Sequence, residues 1–389
     1  MKNRLRKWLA VCISAAIVLT LPACSAKSAG EDTTAQESGT SAAGNQASGS
    51  EAPAEKIRLA VFFRNKDDKS FEQPVYEAAM RIKEEMADRF DVEIIETDPK
   101  DQSMIQPEME EAAAEGADIV AAAGYQFTGP MEGAAAKYGD TKFILLDSSV
   151  PYVDGSNANV LSVNINANEA AFLAGAAAAY YTVGENAANT DKTIGFVGGE
   201  SSDTVNNFLA GYAQGAHYVD PDMKLLSAYT ASFTDTAKAK EVAEDQIREG
   251  ADILFGAAGE SGIGVMEAAS MKDGVMAIGV DCDQYEMFAG HDLQPVILTS
   301  CLKELGTALY DICDSYSKDP GSVTFGKTVS YGLKDGCAGI VYNDNLTAGI
   351  GEDAVNKIKE LERKILAGEI TVAGGDGLTQ EKLRAILFP

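Results

Sequence analysis

Between residues 57 and 280 the chain alternates short apolar runs with longer stretches in which apolar residues recur every three or four positions. Ile57-Arg58-Leu59-Ala60-Val61-Phe62-Phe63 is a run of the first kind, and its brevity and β-branched and aromatic content predict a buried strand. Residues 74–90 are of the second kind, with Glu77, Arg81, Lys83, Glu84 and Asp88 on a polar face, and predict an amphipathic helix. The alternation continues with strands over 92–95, 119–123, 143–146 and 160–165 and helices over 105–116, 129–138 and 168–180. It then starts afresh, with strands over 194–197, 225–229, 253–255 and 276–280 and helices over 204–216, 236–249 and 263–270.

Short apolar strands separated by helices imply parallel sheets covered on both faces, because a parallel connection has to cross over its sheet. The fold class is therefore α/β, and some 330 residues exceed what one core organises, so two lobes are expected. A strand over 296–299 and a helix over 302–316 read as a return to the first lobe, and the segment from Thr328 onward as a final crossing back. The expected division is 56–165 plus 295–325 for the first lobe and 166–294 plus 326–389 for the second, hinged over a cleft.

The first 55 residues belong to neither lobe. Lys2, Arg4, Arg6 and Lys7 precede an apolar run over 8–21 that ends in Leu21-Pro22-Ala23-Cys24, which predicts a signal peptide over 1–23 and acylation of Cys24. Residues 24–55 are almost entirely Ser, Ala, Gly, Thr, Gln, Glu and Asp and predict a disordered tether between a lipid-anchored end and an extracytoplasmic body. The formal net charge of -27 disfavours nucleic acid polymers. With Cys12 in the leader and Cys24 acylated, Cys282, Cys301, Cys313 and Cys337 remain, widely spaced and expected to be buried thiols. Two histidines, His217 and His291, leave little material for metal or triad chemistry.

Polar and aromatic residues follow the predicted strands: Asp67-Asp68-Lys69-Ser70-Phe71-Glu72-Gln73, Asp147-Ser148-Ser149, Gly259-Glu260-Ser261-Gly262 and Asp281-Cys282-Asp283-Gln284. In open parallel sheets these positions face the ligand crevice. Ionised carboxylates there accept hydroxyl hydrogen bonds, which is what a polyol or ribose offers. The clusters Gly198-Gly199 and Gly262-Ile263-Gly264 lack the lysine and hydroxyl of a phosphate-binding loop.

Six segments in order carry a resemblance: Asp68-Lys69-Ser70-Phe71, Gly195-Phe196-Val197-Gly198-Gly199, Phe208 with Gly211-Tyr212 and Gly215-Ala216, Gly262-Ile263-Gly264-Val265, Ile278-Gly279-Val280-Asp281-Cys282-Asp283-Gln284, and Leu298-Thr299-Ser300 with Lys303. Together they are similar to the basic membrane protein family, the nucleoside-binding lipoproteins of ABC importers, over about residues 56 to 372. The resemblance implies a two-lobed type I periplasmic-binding-protein fold with several interlobe crossovers. It implies a solute-binding lipoprotein, not an enzyme and without a cofactor, that is a monomer, takes a nucleoside, a purine one, in the interlobe cleft, and works with importer permease subunits. A sugar or another small signalling molecule in the same fold is the alternative.

Residue by residue, the resemblance implies that Phe71 stacks on a base and that Asp281 accepts ribose hydroxyls. Lys303 would contact the sugar from the other lobe. The alternatives are core packing for Phe71, and a strand-end cap and an interlobe salt bridge for Asp281 and Lys303. Phe233 is expected either to stack on the opposite face of the base or to pack in the core. Asp68 and Asp147 either receive base or sugar donors or shape turns, and Gly259 either admits a close backbone approach to the sugar or makes a plain turn. The family usually has Asn where this chain has Glu72, and often Trp where it has Tyr76. An ionised carboxylate only accepts, so Glu72, if it reaches the base, is expected to favour donor-rich edges or to exclude purines.

Overall fold

The apolar runs form the strands of two sheets, and the computed structural model describes them within residues 55–66, 68–98, 101–375 and 380–387. The expected leader, Cys24 and all of the tether but its last residue lie outside the described residues. The first half comprises β1 (Ile57–Phe63), α1 (Gln73–Glu85), β2 (Phe90–Glu96), α2 (Ile105–Ala114), β3 (Ile119–Ala123), α3 (Thr128–Lys137), β4 (Lys142–Leu146) and β5 (Val160–Ile165). The second half comprises α4 (Ala167–Thr182), β6 (Thr193–Gly198), α5 (Asp203–Val219), β7 (Lys224–Tyr229), α6 (Thr236–Arg248), β8 (Ala251–Ala257), α7 (Gly262–Ser270), β9 (Met276–Asp281), α8 (Gln284–Met287) and β10 (Ile297–Lys303). There follow α9 (Leu305–Lys318), β11 (Lys327–Tyr331), β12 (Ala338–Ile340), α10 (Asp344–Ile350), α11 (Glu352–Leu366) and α12 (Gln380–Leu387).

The strand orders are β11-β5-β4-β3-β1-β2 and β12-β10-β9-β8-β6-β7, so the chain traces one topology twice. Neighbours pair in parallel except β12, which runs antiparallel to β10. In each sheet the winding reverses beside the first strand laid down, β1 or β6, which opens a crevice at the carboxyl ends of the strands. Every residue of β3 and β8 is buried, as strands covered by helices on both faces require.

The expected lobe division needs correction after residue 295. The strand read as a return to the first lobe is β10, which pairs with β9 in the second sheet, Cys301 opposite Val280 and Leu302 opposite Asp281. The crossing comes after Lys303, where α9 packs on α1 with Gly306 against the Pro74 carbonyl. β11, expected in the second lobe, pairs with β5 in the first. Its sequence, Lys-Thr-Val-Ser-Tyr, has one apolar face and reads as a connection because it is an edge strand. The first helix is also shorter than expected: Phe90 opens β2 opposite Ile57.

α4 carries an apolar residue at nearly every position and is buried on almost all sides, with α5 lying against it. Glycine makes that contact possible. A Cβ on Gly175 would collide with the Tyr212 carbonyl oxygen, and one on Gly215 with the Phe172 carbonyl oxygen. Both obstacles are backbone and cannot turn aside. No helix among the described residues is long and apolar enough to cross a membrane. We expect Gly215→Ala to force α4 and α5 apart and to lower stability by about 1–3 kcal/mol or more, as measured by denaturant unfolding.

Candidate functional site

At the carboxyl ends of the two sheets lies a cavity of about 870 Å³. The first sheet contributes the loop after β1 (Arg64, Asn65, Asp68, Phe71, Glu72), Thr97 after β2, Tyr125 after β3 and Asp147 after β4. The second contributes the first turns of α5, from Ser202 to Phe208, then Phe233, Gly259, Asp281 and Lys303. All eight positions singled out from the sequence thus line one cavity. Asp147 and Asp281 adopt left-handed backbone, φ 57° and 68°. For residues other than glycine this conformation costs on the order of 1–3 kcal/mol and concentrates where function fixes a side chain.

Lys303 is 2% exposed, and its ammonium sits 2.9 Å from Asp147 Oδ2 and 3.7 Å from Asp281 Oδ1. It also faces the rings of Phe71 and Phe208, 4.7 and 5.4 Å from their centroids. Burial penalises the charge, but the two carboxylates outweigh burial and hold the ammonium above the usual lysine range. Lys303 was expected to reach the sugar from the lobe opposite Asp281. It ends β10, next to the Asp281 strand, so Asp147 is the partner that crosses from the other lobe.

The loop after β1 fastens to the second lobe next to this cation. Ser70 Oγ donates to Asp281 Oδ2 at 2.7 Å, and Gln284 Nε2 donates to the Lys69 carbonyl at 2.9 Å. Lys69 Nζ lies 5.3 Å from the Phe288 ring centroid.

Glu72 lines the cavity but is only 2% exposed, and its carboxylate is taken up by neighbours. It accepts hydrogen bonds from Arg64 Nε (2.7 Å), the Arg64 N–H (3.1 Å) and the Asn65 N–H (2.7 Å). A buried carboxylate needs such partners, and Arg64 supplies the countercharge. Tyr76 packs edge-on against Phe63, centroids 5.8 Å apart, and does not line the cavity. Asp68 Oδ2 accepts the Glu72 N–H, while Oδ1 is buried without a partner among the described residues. Burial raises the Asp68 carboxyl to about 6; the Glu72 N–H works against that shift, and the Asp281 and Glu72 charges add to it. Thr97 Oγ1 is likewise buried without a partner.

Phe71 and Phe233 are partly buried and Phe208 almost wholly so. A Cβ on Gly199 would strike the Phe233 ring, and Gly259 adopts φ +58° with Phe233 beside it, so two glycines seat this aromatic. Gly259 both makes a left-handed turn and lines the cavity. Sequence reasoning missed Arg64 and Phe208 as lining residues. Phe208 had a signal, since it lies within the first two turns after the Ser202 cap of α5. The four cysteines of the body are buried and unpaired, as expected, and no cluster among the described residues could hold a metal ion.

Two α/β lobes of one topology, closing on a cavity at their strand ends, define a solute-binding receptor. The profile of the PnrA-like ABC transporter substrate-binding proteins matches residues 56–376, and the chain belongs to that family. It is 31% identical to basic membrane protein A of Borreliella afzelii over 326 residues, 84% of this chain and 93% of that protein. It is 35% identical to basic membrane protein D of Borreliella burgdorferi over 215 residues, 55% of this chain and 59% of that protein. In fold it is similar to an ABC transporter solute-binding protein from Aeropyrum pernix K1, with a TM-score of 0.69, 24% identity, and coverage of 85% of this chain and 98% of that one. Substrate-binding proteins of ABC importers are extracytoplasmic, take up small ligands and work with permease subunits.

The Asp68 carboxyl fixes a pH dependence. Its folded value of about 6 lies above the unfolded 3.8, so its contribution to stability is fully present below about pH 4 and is lost as pH rises through 6. Without added ligand, Asp68→Asn is expected to be more stable than the parent at pH 7 by about 1–3 kcal/mol, with the difference vanishing near pH 4. Urea unfolding of both proteins across this range measures it.

Proposed function

We propose that the protein is a nucleoside receptor, with a purine base between aromatic faces and the ribose over the strand-end charges. The observation that carries this reading is the division of one cavity wall into two chemistries. Phe71, Phe208 and Phe233 offer apolar ring faces. Beside them, Asp147, Asp281 and Lys303 offer two acceptors and a cation suited to vicinal hydroxyls. Seven carboxylates (Asp68, Glu72, Glu96, Asp147, Asp203, Glu260, Asp281) and two cations (Arg64, Lys303) line the cavity, which disfavours a phosphorylated ligand. Binding and release require no bond to be made or broken. Ligand bridges both lobes in the closed arrangement and so shifts the population toward it.

Calorimetric titration with purine and pyrimidine nucleosides, free bases, nucleotides and pentoses tests the cargo. Nucleosides should bind and nucleotides should not; a response to sugars alone would replace the nucleoside by a sugar. Asp281→Ala should weaken nucleoside binding by about a hundredfold or more while preserving the circular dichroism spectrum, since it removes the acceptor of two hydroxyls. Unchanged affinity would overturn the ribose placement.

The same reading has the receptor work as a monomer held at the membrane through an acylated Cys24. Mass spectrometry of the protein expressed with its leader should find diacylglycerol on Cys24, and Cys24→Ser should release the protein from the membrane fraction.

A further inference from the structure

One wall of the cavity presents an ordered donor and acceptor pattern that the receptor reading does not by itself require. Arg64 directly follows β1, and Glu72 caps α1, so the short loop between them brings the two side chains together at 2.7 Å. Glu72 accepts from Arg64 Nε with Oε1 and from the Arg64 and Asn65 backbone N–H groups with Oε2, which tethers the guanidinium through its Nε edge. The Arg64 side chain is 28% exposed and lines the cavity, and its terminal nitrogens donate no hydrogen bond among the described residues. Through its backbone N–H, Glu72 also orients Asp68, whose Oδ1 is buried without a partner. A donor fork and a lone acceptor are therefore both tied to one residue.

We propose that Arg64, positioned by Glu72, is a specificity-determining residue that selects 6-oxopurine nucleosides over 6-aminopurine nucleosides. This rests on the nucleoside reading of the same cavity. The edge of guanine or hypoxanthine runs N7, O6, N1–H: two adjacent acceptors that match an arginine fork, then a donor that matches Asp68. Adenine presents N7, an N6 amine and an N1 acceptor. Its amine meets the donors of Arg64, and its N1 faces a carboxylate, so buried groups on both sides go unpaired. The chemistry is opposite to what a free carboxylate at position 72 would select. Because Asp68 gains a proton near pH 6 and then donates, the selectivity should narrow on acidification.

The test is calorimetry on the full chain with inosine, guanosine and adenosine at pH 7.5 and pH 5. The parent should bind the two oxopurine nucleosides at least about tenfold more tightly than adenosine at pH 7.5, and the ratio should fall at pH 5. Arg64→Met combined with Glu72→Gln removes both charges together and so strands neither; it should bring the ratio to within about threefold by weakening inosine and guanosine. Arg64→Lys keeps the charge but loses the fork, and should give an intermediate ratio if the double variant does not fold. Equal or tighter binding of adenosine by the parent, or an unchanged ratio in a folded variant, would overturn the inference and leave the nucleoside reading standing. Failure of every nucleoside to bind would remove both.

Discussion

The arrangement of the two lobes depends on the burial of one ammonium group. Lys303 is almost wholly removed from water, and an isolated charge in that position would be prohibitive. It is tolerated because Asp147 comes from the first sheet and Asp281 from the strand beside its own, with two aromatic rings against the remaining faces. Solvation of the lysine by protein and approach of the lobes are thus the same event. Truncating one carboxylate leaves the ammonium its other partner, whereas truncating both would leave a buried charge alone, a change that in buried pairs costs about 3–5 kcal/mol. The left-handed backbone at both aspartates fits this account, since each strand must turn sharply for its carboxylate to face the cation.

A ligand enters a network in which the buried ammonium is already paired. Asp281 accepts from Ser70 and lies close to Lys303, yet each carboxylate oxygen has room for a second donor. A polyhydroxylated ligand can therefore add to the network without dismantling it. The contacts from Ser70 and Lys69 to the second lobe already favour the closed arrangement, and a ligand supplies only the differential affinity between closed and open. The loop after β1 carries the cavity-lining Asp68 and Phe71 as well as these two contacts, so the interlobe contacts and the cavity wall share one segment.

Much of this was legible in the sequence. Parallel strands covered on both faces read as continuous apolar runs, and their carboxyl ends are where α/β proteins bind ligands, so all eight chosen positions fell on the cavity wall. The crossings after residue 295 were not legible. β10 and β11 lie toward the sheet edges, and which sheet they join is decided by α9 packing on α1, a contact between segments more than two hundred residues apart. An interlobe salt bridge at Lys303 was one of the sequence's two readings; that the lysine lies beside Asp281 and reaches across to Asp147 was hidden for the same reason. Phe208 carried no role in the sequence reading beyond its motif with Gly211 and Gly215; only the direction in which the start of α5 points separates a lining residue from a packing one.

Glu72 shows why a substitution in a binding site cannot be interpreted from the side chain alone. An acceptor-only group in place of an amide suggests a ligand richer in donors, and that inference is sound for a carboxylate that faces the ligand. Here burial intervenes. At 2% exposure the carboxylate must be compensated locally, and the nearest cation, at the end of β1, is drawn into the pair. Both members of the pair line the cavity, the cation 28% exposed and the anion 2%, so on the reading proposed above the polarity offered to the ligand is set more by Arg64 than by Glu72. A charge introduced into a closed cavity thus acts through the countercharge it recruits, and the chemistry of the wall belongs to the pair.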